Sequence, residues 1–131
     1  MTWTIWVPLL PGRALSPNSG RGHQWYGNAN ATEELRNAVT VIARTSWSGP
    51  PLDFATVSVR ARISAKRPQD DRYRPLDVPN LVSALKPAFD GLVVAGVCVD
   101  DRFEHFALGA VRIERVADVA DEGLWITVLP G

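Results

Sequence analysis

The chain has 131 residues and a mass of 14.3 kDa, enough for one domain around a single core and too short for two. Hydrophobic residues make up 46% of it, with five tryptophans; this excludes a disordered polar chain, and no apolar run approaches the roughly 18 residues of a membrane span. The formal net charge of zero excludes a uniformly basic nucleic-acid binder, yet residues 1–76 carry ten Lys/Arg against five Asp/Glu, and residues 77–131 carry four against nine.

The opening TWTIWV alternates polar and apolar residues and predicts a first strand over residues 2–7. Lacking a basic leader and a small-residue cleavage site, it reads as structure rather than a targeting signal. Residues 9–30 are rich in Pro, Gly, Asn and Ser and read as a long loop, of the length that usually carries function. From residue 31 to about 45, Leu35, Val39 and Ile42 recur at helical spacing behind Thr32, Glu33 and Glu34, predicting a first helix. FATVSVRARISA then puts Val57, Val59, Ala61 and Ile63 on one face of a strand and Ser58, Arg60 and Arg62 on the other. Leu81, Leu85, Phe89 and Leu92 predict a second helix over residues 80–94, with Pro87 removing the bond to Ser83 and bending it, and Gly96 as its stop. FEHFALGAVRIERV and GLWITVL predict two last strands joined by the acidic turn ADVADEG. The order β-α-β-α-β-β in a single domain, residues 1–131, predicts an α+β fold: a mixed sheet with two helices packed on one side. Trp3, Trp6, Trp47 and Trp125 fall in or beside these elements and are expected in the core or at a dimer interface.

Cys98 is the lone cysteine, so no internal disulfide or cysteine zinc cluster forms. Its setting, VCV, is that of a buried small hydrophobe with nothing to activate a thiolate, and a reducing cytoplasm is the expected compartment.

Two groups of residues point to chemistry. Arg60, Arg62, Lys66, Arg67, Arg72 and Arg74 fall within fifteen residues, opposed only by Asp70 and Asp71; they read either as a phosphate-binding face or as a solvated strand face and loop. The second group is acidic. Asp77 heads the second helix, and Asp100 and Asp101 follow its far end, about 22 Å away at 1.5 Å per residue. The extended VCV run can return beside the helix and bring one of the two carboxylates toward Asp77. Two carboxylates with the amide of Asn80 suit Mg²⁺, a hard cation that takes oxygen ligands; the alternative is a capping Asp77 and a solvated Asp-Asp turn. In the loop, Arg21, His23 and Trp25 can meet DNA, with a base stacked on the indole, or simply pack on the domain. His105 reads as a strand histidine or a neighbour of the acidic group, and Lys86 with Asp90 as an i,i+4 pair.

The segment RYRPLDVPNLVSALKPAFDGLVVAGVCVDD resembles the signature of the RusA family of Holliday-junction resolvases: basic residues, Asp-x-Asp-Asn-Leu, a helix with Lys and a Phe/Leu-Asp pair, Ala-Gly, and a closing Asp-Asp. LSPNSGRGHQW is similar to the loop that family carries after its first strand. The resemblance implies a phage- or prophage-encoded protein of the bacterial cytoplasm, a homodimer that resolves four-way DNA junctions by paired nicking with Mg²⁺ or Mn²⁺, without a membrane or a small-molecule cofactor. It implies Asp77, Asp101 and Lys86 as catalytic residues, and Asp77, Asp101, Asp100 and Asn80 as metal ligands. DNA-binding residues would be Arg72, Arg74, Lys66, Arg67, Arg21 and His23. One position departs from the pattern: Pro79 stands where the family has its second carboxylate. That weakens metal binding unless Asp70, Asp71, Asp90 or Glu104 compensates, and keeps open a RusA-like dimer that binds branched DNA or a protein partner without cutting.

Overall fold

The computed structural model describes residues 2–11, 25–64 and 78–131, and for residues 25–30 the backbone alone. Strand β1 (Trp3–Val7) is followed by helix α1 (Trp25–Ser46), strand β2 (Ala55–Ser64), helices α2 (Val78–Ala84) and α3 (Lys86–Val94), and strands β3 (Phe106–Val116) and β4 (Gly123–Pro130). The strands form one mixed sheet in the order β1-β4-β2-β3, with β4 antiparallel to both β1 and β2, and β2 parallel to β3. The parallel pair requires the crossover that α2 and α3 supply. The result is a single α+β domain.

Alternation decides which face of the sheet is buried. Ile5 and Val7 of β1, Val57, Val59 and Ala61 of β2, and Leu124, Ile126 and Val128 of β4 are all 5% exposed or less. They share one core with Leu35, Val39 and Ala43 of α1 and with Leu85, Phe89 and Leu92 of the second helical segment. Arg60 and Arg62 point the other way, as period 2 requires. The helices α1 and α3 cross where Gly91 meets α1: a Cβ at Gly91 would lie 2.8 Å from the Arg36 carbonyl oxygen and 2.9 Å from Val39 Cβ. Only glycine permits that approach. Trp3 and Trp47 pack edge to face against the core at 5.3 Å.

Three boundaries differ from expectation. The first helix begins at Trp25, so residues 25–30 of the expected loop are helical despite Gly27, Asn28 and Asn30. Propensity is a weak prior, and a helix already nucleated gains one bond for each residue added. The second helix is two helices. The chain turns at Leu85, where the amide of Leu85 donates to Val82 O at 3.2 Å, and Lys86 and Pro87 form the first turn of α3. Proline has no N–H, and at a helix start none is needed, so the interruption expected at Pro87 takes the form of a break at Leu85 with Pro87 in the first turn that follows. Residues 103–105 form a turn rather than the start of β3; Phe103 is exposed, and His105 Nδ1 lies 2.8 Å from the backbone oxygen of Asp53.

In the acidic turn, Glu122 is buried and accepts from the Ser64 amide at 2.7 Å, fastening the end of β2. Among the described residues no helix is long and apolar enough to cross a membrane.

Candidate functional site

The site is built by α3, by the segment that returns beside it, and by Arg36 of α1. Gly96 adopts φ 85°, and the Val97 amide donates to Leu92 O at 3.0 Å, a left-handed stop that reverses the chain. The strand-like return is held by Leu52: its amide donates to Val97 O at 2.8 Å, and its oxygen accepts from Val99 at 3.1 Å, so that Leu52 and Cys98 form a parallel bridge. Cys98 is 1% exposed, and burial pushes its thiol up to about 11, which leaves it inert.

This return delivers Asp101 to Lys86. The Lys86 ammonium donates to Asp101 Oδ2 and, at 2.9 Å, to Asp90 Oδ1 one turn along α3. The hydrogen bond from Lys86 is the chief cause holding the Asp101 carboxyl below its ordinary range. The reciprocal bond to Asp101, then that to Asp90, raises the Lys86 ammonium. Asp100 faces elsewhere: its Oδ1 accepts from the Asp101 amide at 2.7 Å, and its Oδ2 pairs with Arg102 Nε at 3.0 Å. Of the two, only Asp101 engages Lys86. Both carboxylates nevertheless line one open cleft of about 340 Å³ with Asp90, Val93, Val94 and Arg36. Arg36 is the residue sequence reasoning missed. It follows core Leu35 on α1, and only the crossing of α1 over α3 puts it beside the acids.

The cleft and its rim thus carry Arg36, Lys86 and Arg102 against Asp90, Asp100 and Asp101, three charges of each sign. Among the described residues no group of three His, Cys, Asp or Glu side chains is gathered around a metal position. The donor chemistry still fits a hard cation in kind, because carboxylate oxygens of Asp90 and Asp101 already hold an ammonium ion. Asp77, expected as a further ligand, lies outside the described residues, as do Lys66, Arg67, Asp70, Asp71, Arg72, Arg74, Arg21 and His23. Asn80 sits in the first turn of α2 beside Pro79, whose oxygen accepts from Ser83 Oγ at 3.2 Å. Glu104 lies in the exposed turn before β3, and His105 is turned to Asp53. Of the outward arginines, Arg60 and Arg62 share Glu114 on the paired strand β3, at 3.8 and 3.6 Å, so part of their charge is already compensated. No protein-family model matches the chain, and no curated protein matches it.

Proposed function

We propose that the chain is a metal-dependent endonuclease of the RusA type that resolves four-way or branched DNA junctions as a homodimer, with hydrolysis weakened by Pro79. The observation that carries this reading is the contact of Lys86 with Asp101. The resemblance names these two residues independently, fifteen positions apart, and the fold brings their side chains together.

In this reading Asp101 and Asp77 hold a divalent cation, with Asp100 and Asn80 beside them. Bound there, Mg²⁺ or Mn²⁺ would supply Lewis-acid stabilisation of phosphate charge and a lowered pKa for attacking water. Lys86, released from Asp101, is placed to offset charge on a phosphate oxygen. Arg21, His23, Lys66, Arg67, Arg72 and Arg74 grip the DNA backbone, and two identical subunits meet the two opposed strands of a junction.

The balanced charge of the cleft favours a second reading: a dimer that binds branched DNA but does not cut it. Labelled four-way junctions incubated with Mg²⁺ or Mn²⁺ separate the two. Paired nicks abolished by Asp101→Asn, with binding retained, support the nuclease; salt-sensitive binding without cleavage at any metal concentration supports the second reading. Neither binding nor cleavage would overturn both.

A further inference from the structure

The turn that leads from Asp101 into β3 leaves an aromatic ring in water. Phe103 is 85% exposed, the most exposed of the large hydrophobic residues described, whereas Phe106, three positions on, packs on Phe89 with ring centroids 5.0 Å apart. Among the described residues no other ring packs on Phe103. Phenylalanine is among the side chains that gain most from burial, so a ring held out on a short turn beside the cleft is informative.

The turn is braced on both sides of the ring. Before it, Arg102 Nε pairs with Asp100 Oδ2 at 3.0 Å, and the Asp101 amide donates to Asp100 Oδ1 at 2.7 Å. After it, the His105 amide donates to Arg102 O at 2.8 Å, the His105 oxygen accepts from the Ala55 amide at 3.0 Å, and His105 Nδ1 lies 2.8 Å from Asp53 O. The ring is therefore held in place before any ligand arrives, and little ordering is left for the ligand to impose.

Its distance from the cleft decides what it can meet. Two trans peptide bonds separate Phe103 from Asp101, so their Cα atoms lie at most about 7.6 Å apart at about 3.8 Å per bond. The ring stands within the reach of one nucleotide from the contact of Lys86 with Asp101. The charges beside it do not favour a run of phosphates: Glu104 is exposed, and Arg102 is committed to Asp100. What remains is the face of the ring, a π surface that suits a flat, uncharged partner. Bases inside a duplex have both faces covered by their neighbours, so only a base out of its stack offers one.

We infer that Phe103 stacks on an unpaired nucleobase, one freed at the branch point of the DNA beside the cleft. The inference takes its ligand from the branched-DNA reading above and depends on neither cutting nor metal. Binding of the full chain is measured without metal, to a four-way junction carrying 2-aminopurine at the branch point, to a plain duplex arm, and to oligothymidylate carrying the same probe. Wild type and Phe103→Trp are expected to quench the branch-point fluorescence. Phe103→Ala and Phe103→Leu, the latter apolar but without a ring, are expected to lose the quench and to bind the junction about 5- to 150-fold more weakly, the size of one base–aromatic stack, with duplex affinity unchanged. The site is exposed, so all three variants are expected to keep the wild-type circular dichroism.

A wild type that binds the junction without quenching the probe overturns the inference, as does a Phe103→Ala variant that quenches and binds like wild type or that weakens duplex binding equally. So does a Phe103→Ala variant whose only change is a halved sedimenting mass, which would assign the ring to a contact between copies of the chain. A wild type that ignores junctions but quenches the oligothymidylate probe through Phe103 keeps the inference and sinks the junction reading; one that binds neither overturns the inference.

Discussion

Lys86→Met removes an ammonium ion and keeps most of the side chain's stem. The group lost is 62% exposed, whereas its partner Asp101 is 21% exposed. Solvent therefore screens both contacts: about 0.3–0.5 kcal/mol for the i,i+4 bond to Asp90, and at most about 1 kcal/mol for Asp101. At about 2.1 cal/mol/K of unfolding entropy per residue, 131 residues convert this into a melting temperature lower by roughly 1–5 °C. The pH dependence is fixed by the two shifts. Asp101 is depressed, so its share is present above the ordinary carboxylate value of about 4 and fades as pH falls through the lower folded value. Lys86 is raised, so its share is present below about 10.4 and fades as pH climbs through the higher folded value. The gap between wild type and variant is thus flat across neutral pH and closes toward acid. Cation binding moves the other way. A unit charge about 5 Å from a dication repels it by about 1.7 kcal/mol at the dielectric of water, so the variant binds Mn²⁺ roughly tenfold more tightly. Calorimetric titration with Mn²⁺ and thermal melts at several pH values measure both effects. A variant with lowered melting temperature but unchanged Mn²⁺ affinity would show that the ammonium holds no cation's place.

Pro79→Asp puts a carboxylate in the first turn of α2, where acidic residues are tolerated, and is expected to raise Mn²⁺-dependent junction cleavage at least tenfold; an unchanged rate would mean that the missing acid is not limiting. Gly91→Ala gains up to about 1 kcal/mol of helix propensity but drives a Cβ to 2.8 Å from the Arg36 carbonyl. Overpacking costs about 1–3 kcal/mol, so chemical denaturation should show a net loss. Cys98, with its thiol near 11 and 1% exposed, is expected to react with an aromatic disulfide reagent only after guanidinium unfolding.

The strands were legible because one buried face imposes a period of two, and β2 keeps it from Ala55 to Ile63. The core of α1 was legible for the same kind of reason: Leu35 and Val39 repeat at the helical period. Spacing does not encode which element lies across which. Arg36 entered the cleft through the crossing at Gly91, and Glu114 met Arg60 and Arg62 through a strand register set about fifty residues away in sequence. The basic reading of that face saw the arginines and not their partner.

The break at Leu85 bears most directly on the acidic corner. Helix α3 has nine residues and is about 13 Å long, whereas a continuous helix from residue 80 to 94 would measure about 22 Å. Residues 97–101 can cover at most about 16 Å at about 3.3 Å each. The return is therefore matched to α3 alone, and it ends at Lys86, the first residue of α3, where the ammonium meets Asp101. Had the helix been continuous, five residues would have stopped well short of its N-terminal end. The break at Leu85, with Pro87 in the first turn of α3, thus sets the length that the return to Asp101 has to match.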